Sequence, residues 1–261
     1  MRSILVQGGR DTAMTARLDT ALDLARAHES HITVAIDTPI DRFVTVDPYG
    51  GTYVAREALD AALAADDALA DAFAGRLEND DVPFDIVQFE TQPLEAMIAA
   101  ARLADLAIVS RTCGYAGDLA IDAKCPVLVL PSDKRIGFPL KSACIAWDGS
   151  DEAAMALRSS TRLLWGCPEV HVLTVLTDKP LGFPPTDALR YLSRHDIKAE
   201  LHELEKAGSI EQTLAGAVSS LGGELLVMGA FGHSRLREFM FGGVSRYFLE
   251  LENGPALLMA H

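Results

Sequence analysis

Short runs of β-branched and aliphatic residues alternate along the whole chain with longer stretches rich in alanine and leucine. Runs such as Leu106–Val109 and Leu225–Met228 are apolar at every position, which is typical of strands buried on both faces of a parallel sheet. The longer stretches repeat their apolar residues at the three- to four-residue spacing of an amphipathic helix. Strands and helices that alternate in this way predict an α/β fold with helices on both faces of a parallel sheet.

The same order of elements occurs twice, which predicts two domains in tandem, residues 1–133 and residues 142–261. A polar stretch, Ser132–Lys141, separates them and contains Gly137 and Pro139. The first domain is predicted to contain strands Ser3–Gln7, His31–Ile36, Phe84–Phe89, Leu106–Ser110 and Pro126–Leu130, and helices Thr15–Ala27, Val54–Leu77 and Leu94–Leu103. The second is predicted to contain strands Ala143–Trp147, Glu169–Leu176, Ile197–Leu204, Glu224–Met228 and Ala256–Ala260, and helices Asp151–Trp165, Thr186–Arg194, Ile210–Leu221 and Gly243–Leu251.

Charge and composition exclude several classes of protein. The 261 residues include 37 acidic and 23 basic side chains, a formal net charge of −14. Such a surface argues against binding to the phosphate backbone of nucleic acids or to an anionic membrane. No apolar run reaches the roughly 18 residues of a spanning helix, and the start, MRSILVQGGRDT, does not resemble a signal peptide. We therefore expect a cytoplasmic protein.

Two groups of side chains are predicted to be structural. The four cysteines, at positions 113, 125, 144 and 167, match no zinc or C-x-x-C spacing and are expected to be buried, reduced thiols. The acids of the long first-half helix, Asp66, Asp67 and Asp71, are expected to form its solvated face.

The two halves differ most between their fourth and fifth strands. Sixteen positions separate Ser110 from Pro126, whereas 26 separate Gly229 from Pro255. The longer segment is rich in glycine and ends directly before a predicted helix. In a doubly wound sheet, ligands bind beyond the carboxyl ends of the strands, where the strand order reverses. Glycine there lets a ligand approach the backbone closely.

An anion is the ligand that this segment suits best. The backbone N–H groups of Gly242, Gly243, Val244 and Ser245 are predicted to open a helix, and such a terminus attracts negative charge. The Ser245 hydroxyl could donate to a phosphate oxygen. Arg235 and Arg237 could add positive charge or equally face solvent.

Asp148 is predicted to face this loop, because it directly follows the first strand of the second half in the segment Ala146–Ser150. A carboxylate there could accept hydrogen bonds from a ribose or a base, or hold a metal ion through water. The alternative is that Asp148 only caps the helix that begins near Asp151.

These segments together resemble the universal stress protein family. The glycines at 229, 232 and 242 have the spacing of its G-x2-G-x9-G-[ST] nucleotide-binding motif, and Ile145–Ser150 is similar to its V-A-x-D-G-S start. The resemblance covers both halves and implies two doubly wound, five-stranded parallel sheets of the adenine nucleotide alpha hydrolase-like type, in strand order 3-2-1-4-5. It also implies that the fifth strands, Val127–Leu130 and Leu257–Ala260, pair edge to edge within the chain.

For the second half, the resemblance implies a bound ATP, with ADP or AMP as alternatives, and Mg²⁺ could accompany the phosphates. Asp148 would lie by the ribose and adenine, and Val175 or Leu176 by the base. Met228 and Gly229 would line the floor. The residues implied at the site are Ala146, Asp148, Val175, Met228, Gly229, Gly232, His233, Gly242, Gly243, Val244 and Ser245.

The sequence also departs from the family. Gly243 stands where the family has Ser or Thr, so one hydroxyl contact is lost and Ser245 must carry that role. In the first half, Gly8 stands where Asp148 stands, and the short segment Ser110–Asp118 replaces the glycine loop. The first half is therefore predicted to be a degenerate copy that serves folding and pairing, the alternative being a second nucleotide site.

No Walker, Rossmann, hydrolase-elbow or zinc-protease motif is present in the sequence. Among the histidines only His233 lies in the predicted cleft; His171 and His202 lie within strand patterns and are expected to be structural. We therefore expect a regulatory or protective stress protein that binds ATP and hydrolyses it slowly at most. The alternatives are a protein-interaction scaffold without nucleotide and, less favoured, an ATP-using enzyme. A homodimer is left open.

Overall fold

A computed structural model describes residues 1–46, 52–131, 134–177, 182–230 and 243–261. The strands are β1 (Ser3–Gln7), β2 (His31–Asp37), β3 (Val44–Val46), β4 (Thr52–Val54), β5 (Phe84–Phe89), β6 (Leu106–Ser110), β7 (Val127–Leu130), β8 (Ser142–Ala146), β9 (Glu169–Val175), β10 (Glu200–Leu204), β11 (Leu225–Gly229) and β12 (Ala256–Ala260). The helices are α1 (Met14–His28), α2 (Arg56–Leu77), α3 (Pro93–Ala100), α4 (Ala116–Asp122), α5 (Asp151–Ser160), α6 (Pro185–Ser193), α7 (Ile210–Ser220) and α8 (Gly243–Glu250).

Ten strands form one continuous sheet in the order β10-β9-β8-β11-β12-β7-β6-β1-β2-β5. Within each half the strands are parallel and the predicted order 3-2-1-4-5 is confirmed. The two predicted sheets are a single one because β12 pairs antiparallel with β7, with Leu258 opposite Leu128. Two strand edges that would otherwise expose unpaired backbone groups therefore cover each other.

The helices cover both faces of this sheet, as doubly wound connections require. On one face, Leu18 of α1 and Leu157 of α5 pack in a core with alternate strand residues such as Ile4. On the other, Met97 of α3 and Phe248 of α8 pack with the intervening residues such as Leu5. None of the described helices combines the length and hydropathy needed to cross a bilayer.

A half-buried arginine also ties the two halves together. Arg111, which directly follows β6 in the first half, donates to the carbonyl oxygen of Leu251 and, at 2.5 Å, to that of Pro255. Burial lowers the pKa of its guanidinium. Because these carbonyls lie between α8 and β12, Arg111 fixes the chain that leads from one to the other.

Three features of the first half differ from the sequence-based prediction. β3 and β4 pair as a small antiparallel hairpin, so the long helix begins at Arg56 rather than at Val54. The short helix α4 was not predicted. Asp66 is not solvated: its side chain is 5% exposed, accepts from Thr38 and pairs with Arg10 at 2.6 Å.

Candidate functional site

The candidate site lies where β8, β9 and β11 end. Ala146 and Val175 are the last residues of β8 and β9, and Met228 is the last but one of β11. All three pack against the core under α7 and α8, where Ala146 and Val175 are half-buried and Met228 is 4% exposed. Since β8 has β9 on one side and β11 on the other, the strand order reverses here.

Asp148 stays available for a ligand. Ser150, not Asp148, is the N-cap residue of α5, since its hydroxyl oxygen accepts from Ala153 N at 3.1 Å. Asp148 Oδ1 accepts from the Ser150 backbone N–H and hydroxyl, at 3.0 and 2.6 Å. Asp148 itself is exposed, and no residue of the described part of the chain donates a hydrogen bond to its Oδ2. The structure thus gives the helix cap to Ser150, while the ligand contact of Asp148 stays a prediction.

Hydrogen bonds to Phe183, which lies just before α6, stabilise the turn that carries Asp148. Gly149 has φ +73°, and a Cβ there would lie 2.7 Å from Phe183 O, so the turn requires glycine. Phe183 N donates to Gly149 O at 3.3 Å, and the Trp147 indole N–H donates to Phe183 O at 3.0 Å. The sequence analysis did not identify Phe183, although the segment Gly182–Pro185 carries a turn signal.

Close packing of β11 against α5 explains why residue 229 is glycine. A Cβ at this position would lie 2.8 Å from Ala153 N and 2.8 Å from Glu152 C, in the first turn of α5. The absence of a side chain therefore lets α5 approach the end of β11 closely. Its place on the floor of a ligand site stays a prediction.

Gly243 is the first described residue of helix α8, since residues 231–242 lie outside the described part of the chain. Gly243 is exposed and Val244 half-buried, while Ser245 is only 4% exposed. The phosphate contacts proposed for these residues stay predictions. Other predicted positions of the loop lie outside the described residues, namely Gly232, His233, Arg235, Arg237 and Gly242.

A carboxylate lies near this helix start. Glu211 Oε1 is 4.0 Å from the point that a Cβ on Gly243 would occupy. Glu211 belongs to the first turn of α7, whose capping box, Ser209 with Gln212, is formed as the sequence suggests. The sequence analysis did not place Glu211 here, because it does not show that the first turns of α7 and α8 are neighbours. This charge works against an anion at α8 unless a cation accompanies it.

The matching edge of the first half carries different side chains. Gln7 ends β1 where Ala146 ends β8, and Asp37 ends β2 where Val175 ends β9. Gly9, not Gly8, corresponds to Asp148, because β8 ends at Ala146, one residue earlier than predicted. Two half-buried apolar side chains in the second half are therefore replaced by an amide and a carboxyl.

An ion pair between a buried arginine and a more exposed aspartate follows β1 in the first half. The Arg17 guanidinium, 1% exposed, pairs with Asp11 at 2.6 Å, donates to Gln7 O at 3.0 Å and donates to the Ser110 hydroxyl. Burial by itself raises the pKa of Asp11, but the hydrogen bond and charge of Arg17 outweigh it, so the pKa lies below its usual value. The network joins the ends of β1 and β6 to α1.

The rest of this edge is polar and half-buried. Burial, and then the charge of Asp66, raise the pKa of Asp37. Burial likewise raises the pKa of Tyr115, which directly precedes α4. The Tyr115 hydroxyl and Gln7 Oε1 are both buried without a partner among the described residues. Arginine, carboxyl and phenol groups therefore occupy the edge that the second half leaves to small apolar residues.

The geometry defines a tandem, doubly wound α/β protein. No family model matches the sequence, and no curated protein matches it. The structure is similar to that of a universal stress protein from Archaeoglobus fulgidus DSM 4304. The alignment covers 99% of this chain and 97% of that protein, at 13% sequence identity and TM-score 0.70. A second alignment, with a candidate universal stress protein from Pseudomonas aeruginosa UCBPP-PA14, covers 100% of this chain and 93% of that protein, at 17% sequence identity and TM-score 0.62.

A protein of unknown function from Pseudomonas aeruginosa PAO1 gives a similar match, covering 100% of this chain and 92% of its own at 15% identity and TM-score 0.61. The chain therefore has the fold of the universal stress proteins over its full length. The resemblance predicted from the glycine loop is confirmed at the level of the fold.

Proposed function

We propose that the second half binds ATP, with ADP or AMP as alternatives, and that the protein acts as a nucleotide-responsive universal stress protein with a regulatory or protective role. One observation carries this proposal. The strand ends that bear Gln7 and Asp37 in the first half bear Ala146 and Val175 in the second, so an amide and a carboxyl are replaced by an apolar surface that suits a base.

The residues present fit a nucleotide. Ala146, Val175 and Met228 offer an apolar surface on one face of the sheet. Asp148, exposed and with Oδ2 unused by the described residues, could accept hydrogen bonds from ribose hydroxyls. The first turn of α8, beginning at Gly243, would receive the phosphates. Because Glu211 lies beside that turn, we expect Mg²⁺ to strengthen the binding of ATP.

Calorimetry of the full-length protein with ATP and Mg²⁺ tests the proposal. Binding is expected, and its absence at millimolar ATP would reject it. Gly232→Val should abolish binding and leave thermal unfolding unchanged, because its added side chain would crowd the predicted phosphate loop.

A matched pair of variants separates the two halves. Ala146→Gln places the first-half side chain in the second half and should weaken ATP binding at least about tenfold, since the amide would occupy the space of the base. Gln7→Ala, at the corresponding strand end, should leave ATP binding unchanged. Equal effects of the two variants would contradict the assignment of the site to the second half.

The Glu211 carboxylate favours a second candidate function, a protein-interaction scaffold without nucleotide. Mass spectrometry of ligand released from the denatured, purified protein distinguishes the two. A bound adenine nucleotide supports the first function, and protein that is nucleotide-free and fails to bind added ATP supports the second.

We further propose that the protein is not a metabolic enzyme and that it functions in the cytoplasm. All four cysteines are free thiols, and burial raises the pKa of Cys113 and Cys125 to about 11. Such protonated thiols are poor nucleophiles. The pairing of β7 with β12 supports internal association of residues 1–133 with residues 142–261 as the structural role of the first half.

A further inference from the structure

Three side chains that could bind a metal ion meet on β9 and β10, away from the nucleotide edge. His171 lies directly opposite Glu200 across the two strands, and His202 follows Glu200 by two residues on the same face. The cluster lies four residues before Val175, the end of β9, which is about 13 Å along the strand.

The distances suit a shared cation. His171 Nδ1 lies 3.0 Å from His202 Nε2, and His202 Nε2 lies 3.8 Å from Glu200 Oε2. The three ligand atoms all lie within 4.8 Å of one another. Imidazole nitrogens bind Zn²⁺ at about 2.0–2.1 Å and carboxylate oxygens at about 2.0–2.2 Å. One ion can therefore bind both nitrogens after a small rotation of the two rings, and a small rotation of Glu200 closes the remaining gap.

The surroundings leave the ion a path from solvent. His171 is 8% exposed, whereas the side chains of His202 and Glu200 are 23% and 72% exposed. Without a cation, the two imidazole nitrogens in contact share one proton, because one of them must donate to the other. The net charge of −14 favours the approach of a cation.

We propose that His171, His202 and Glu200 form a site for a divalent transition-metal ion, of which Zn²⁺ is the reference, with at least one coordination position open to solvent. Two imidazoles and one carboxylate are a ligand set used for Zn²⁺ and related ions. A bound ion would join β9 to β10, the outermost strand at this edge of the sheet. It would do so independently of nucleotide binding.

The first half provides an internal comparison. Strands β2 and β5 correspond to β9 and β10. Thr33 lies opposite Asp85 as His171 lies opposite Glu200. Val87 corresponds to His202. Threonine and valine supply no imidazole, so the corresponding position in the first half cannot form this site. We therefore expect one ion per chain, bound between β9 and β10 and not between β2 and β5.

Titration of the full-length protein, freed of metal with a chelator, with Zn²⁺ at pH 7.5 tests the proposal. The wild type should bind one Zn²⁺ per chain and gain thermal stability. His202→Gln should weaken binding by about tenfold or more and remove the gain in thermal stability. His195→Gln, an exposed histidine in the turn before β10, is the control and should change neither.

Cobalt substitution separates this site from binding by thiols. Co²⁺ bound here should give the weak visible bands of nitrogen and oxygen ligation, without the strong near-ultraviolet band of thiolate ligation. No binding at millimolar Zn²⁺, equal binding by the wild type and His202→Gln, or a thiolate band that persists at one Co²⁺ per chain would each overturn the proposal. If His171→Gln fails to fold, His202→Gln and Glu200→Gln, which change more exposed side chains, still decide the matter.

Discussion

The two halves share one strand order and one pairing scheme, yet their strand ends bear opposite chemistry. In the first half, Arg17, Asp11 and Asp37 bring charge and hydrogen bonds to the edge, and much of it is enclosed. In the second, Ala146 and Val175 are small, half-buried and uncharged. The difference teaches that this fold does not depend on the groups at the strand ends, so one copy can use them for stability and the other can leave them for a ligand.

The largest expected effect comes from breaking the ion pair of the first half. Asp11→Ala leaves the buried Arg17 guanidinium without its counter-charge and should lower the free energy of unfolding by about 2–3 kcal/mol, since Asp11 itself is partly exposed to solvent. Because the folded-state pKa of Asp11 is lowered, its stabilisation is present above the unfolded pKa and is lost as the pH falls through the folded pKa. Urea denaturation at several pH values measures both.

The matched control lies at the same position of the second half. Ser150 follows Asp148 by two residues, as Asp11 follows Gly9, and it is the N-cap residue of α5. Ser150→Ala should therefore lower the free energy of unfolding by only about 1 kcal/mol. Equal losses for the two variants would show that the Arg17 network is not what distinguishes the first-half edge.

A smaller effect of opposite sign is expected at Asp37. Its raised pKa means that ionisation is disfavoured in the folded protein, so a penalty develops as the pH rises above the usual value of 3.8. Asp37→Asn should therefore increase the free energy of unfolding at pH 7 by about 0.5–2 kcal/mol. The gain should vanish near pH 3, and the exposed Asp60→Asn should show none. A gain that is independent of pH would contradict this account of Asp37.

The smallest effect is expected at Glu211. Removing its charge should strengthen ATP binding in the absence of Mg²⁺ by about threefold, the effect of one charge at about 7 Å in water. Because Mg²⁺ offsets the same charge, the gain from Glu211→Gln should be smaller when Mg²⁺ is present. Calorimetry at low ionic strength measures it, and a loss of affinity would show that Glu211 holds the ligand rather than opposing it.

The sequence predicted the strands better than the sites. Strands such as β6 and β12 have the predicted bounds because their continuous apolar runs end at polar residues or turns. Strand β10 begins at Glu200 rather than Ile197, since Ile197 N donates back to Leu192 O after the left-handed Asp196. Helix α4 has only seven residues and lies in a glycine-containing segment, so it is too short to show a recognisable helical repeat of apolar residues.

Sites that depend on distant pairing could not be predicted in the same way. The glycine spacing and the place of Asp148 directly after a predicted strand indicated the second-half edge, because each of these signals lies within a short segment of the sequence. His171 and His202 were expected to be structural, since only the β9–β10 register places them together. Asp66 was expected to be solvated, because the helix pattern does not show that Thr38 and Arg10 lie over it.

The most direct test of the central claim is the number of nucleotides that one chain binds. Equilibrium dialysis of the full-length protein against labelled ATP with Mg²⁺ should give one ATP per chain. A stoichiometry of two would show that the polar edge of the first half also binds nucleotide, and a stoichiometry of zero would show that the open edge of the second half does not.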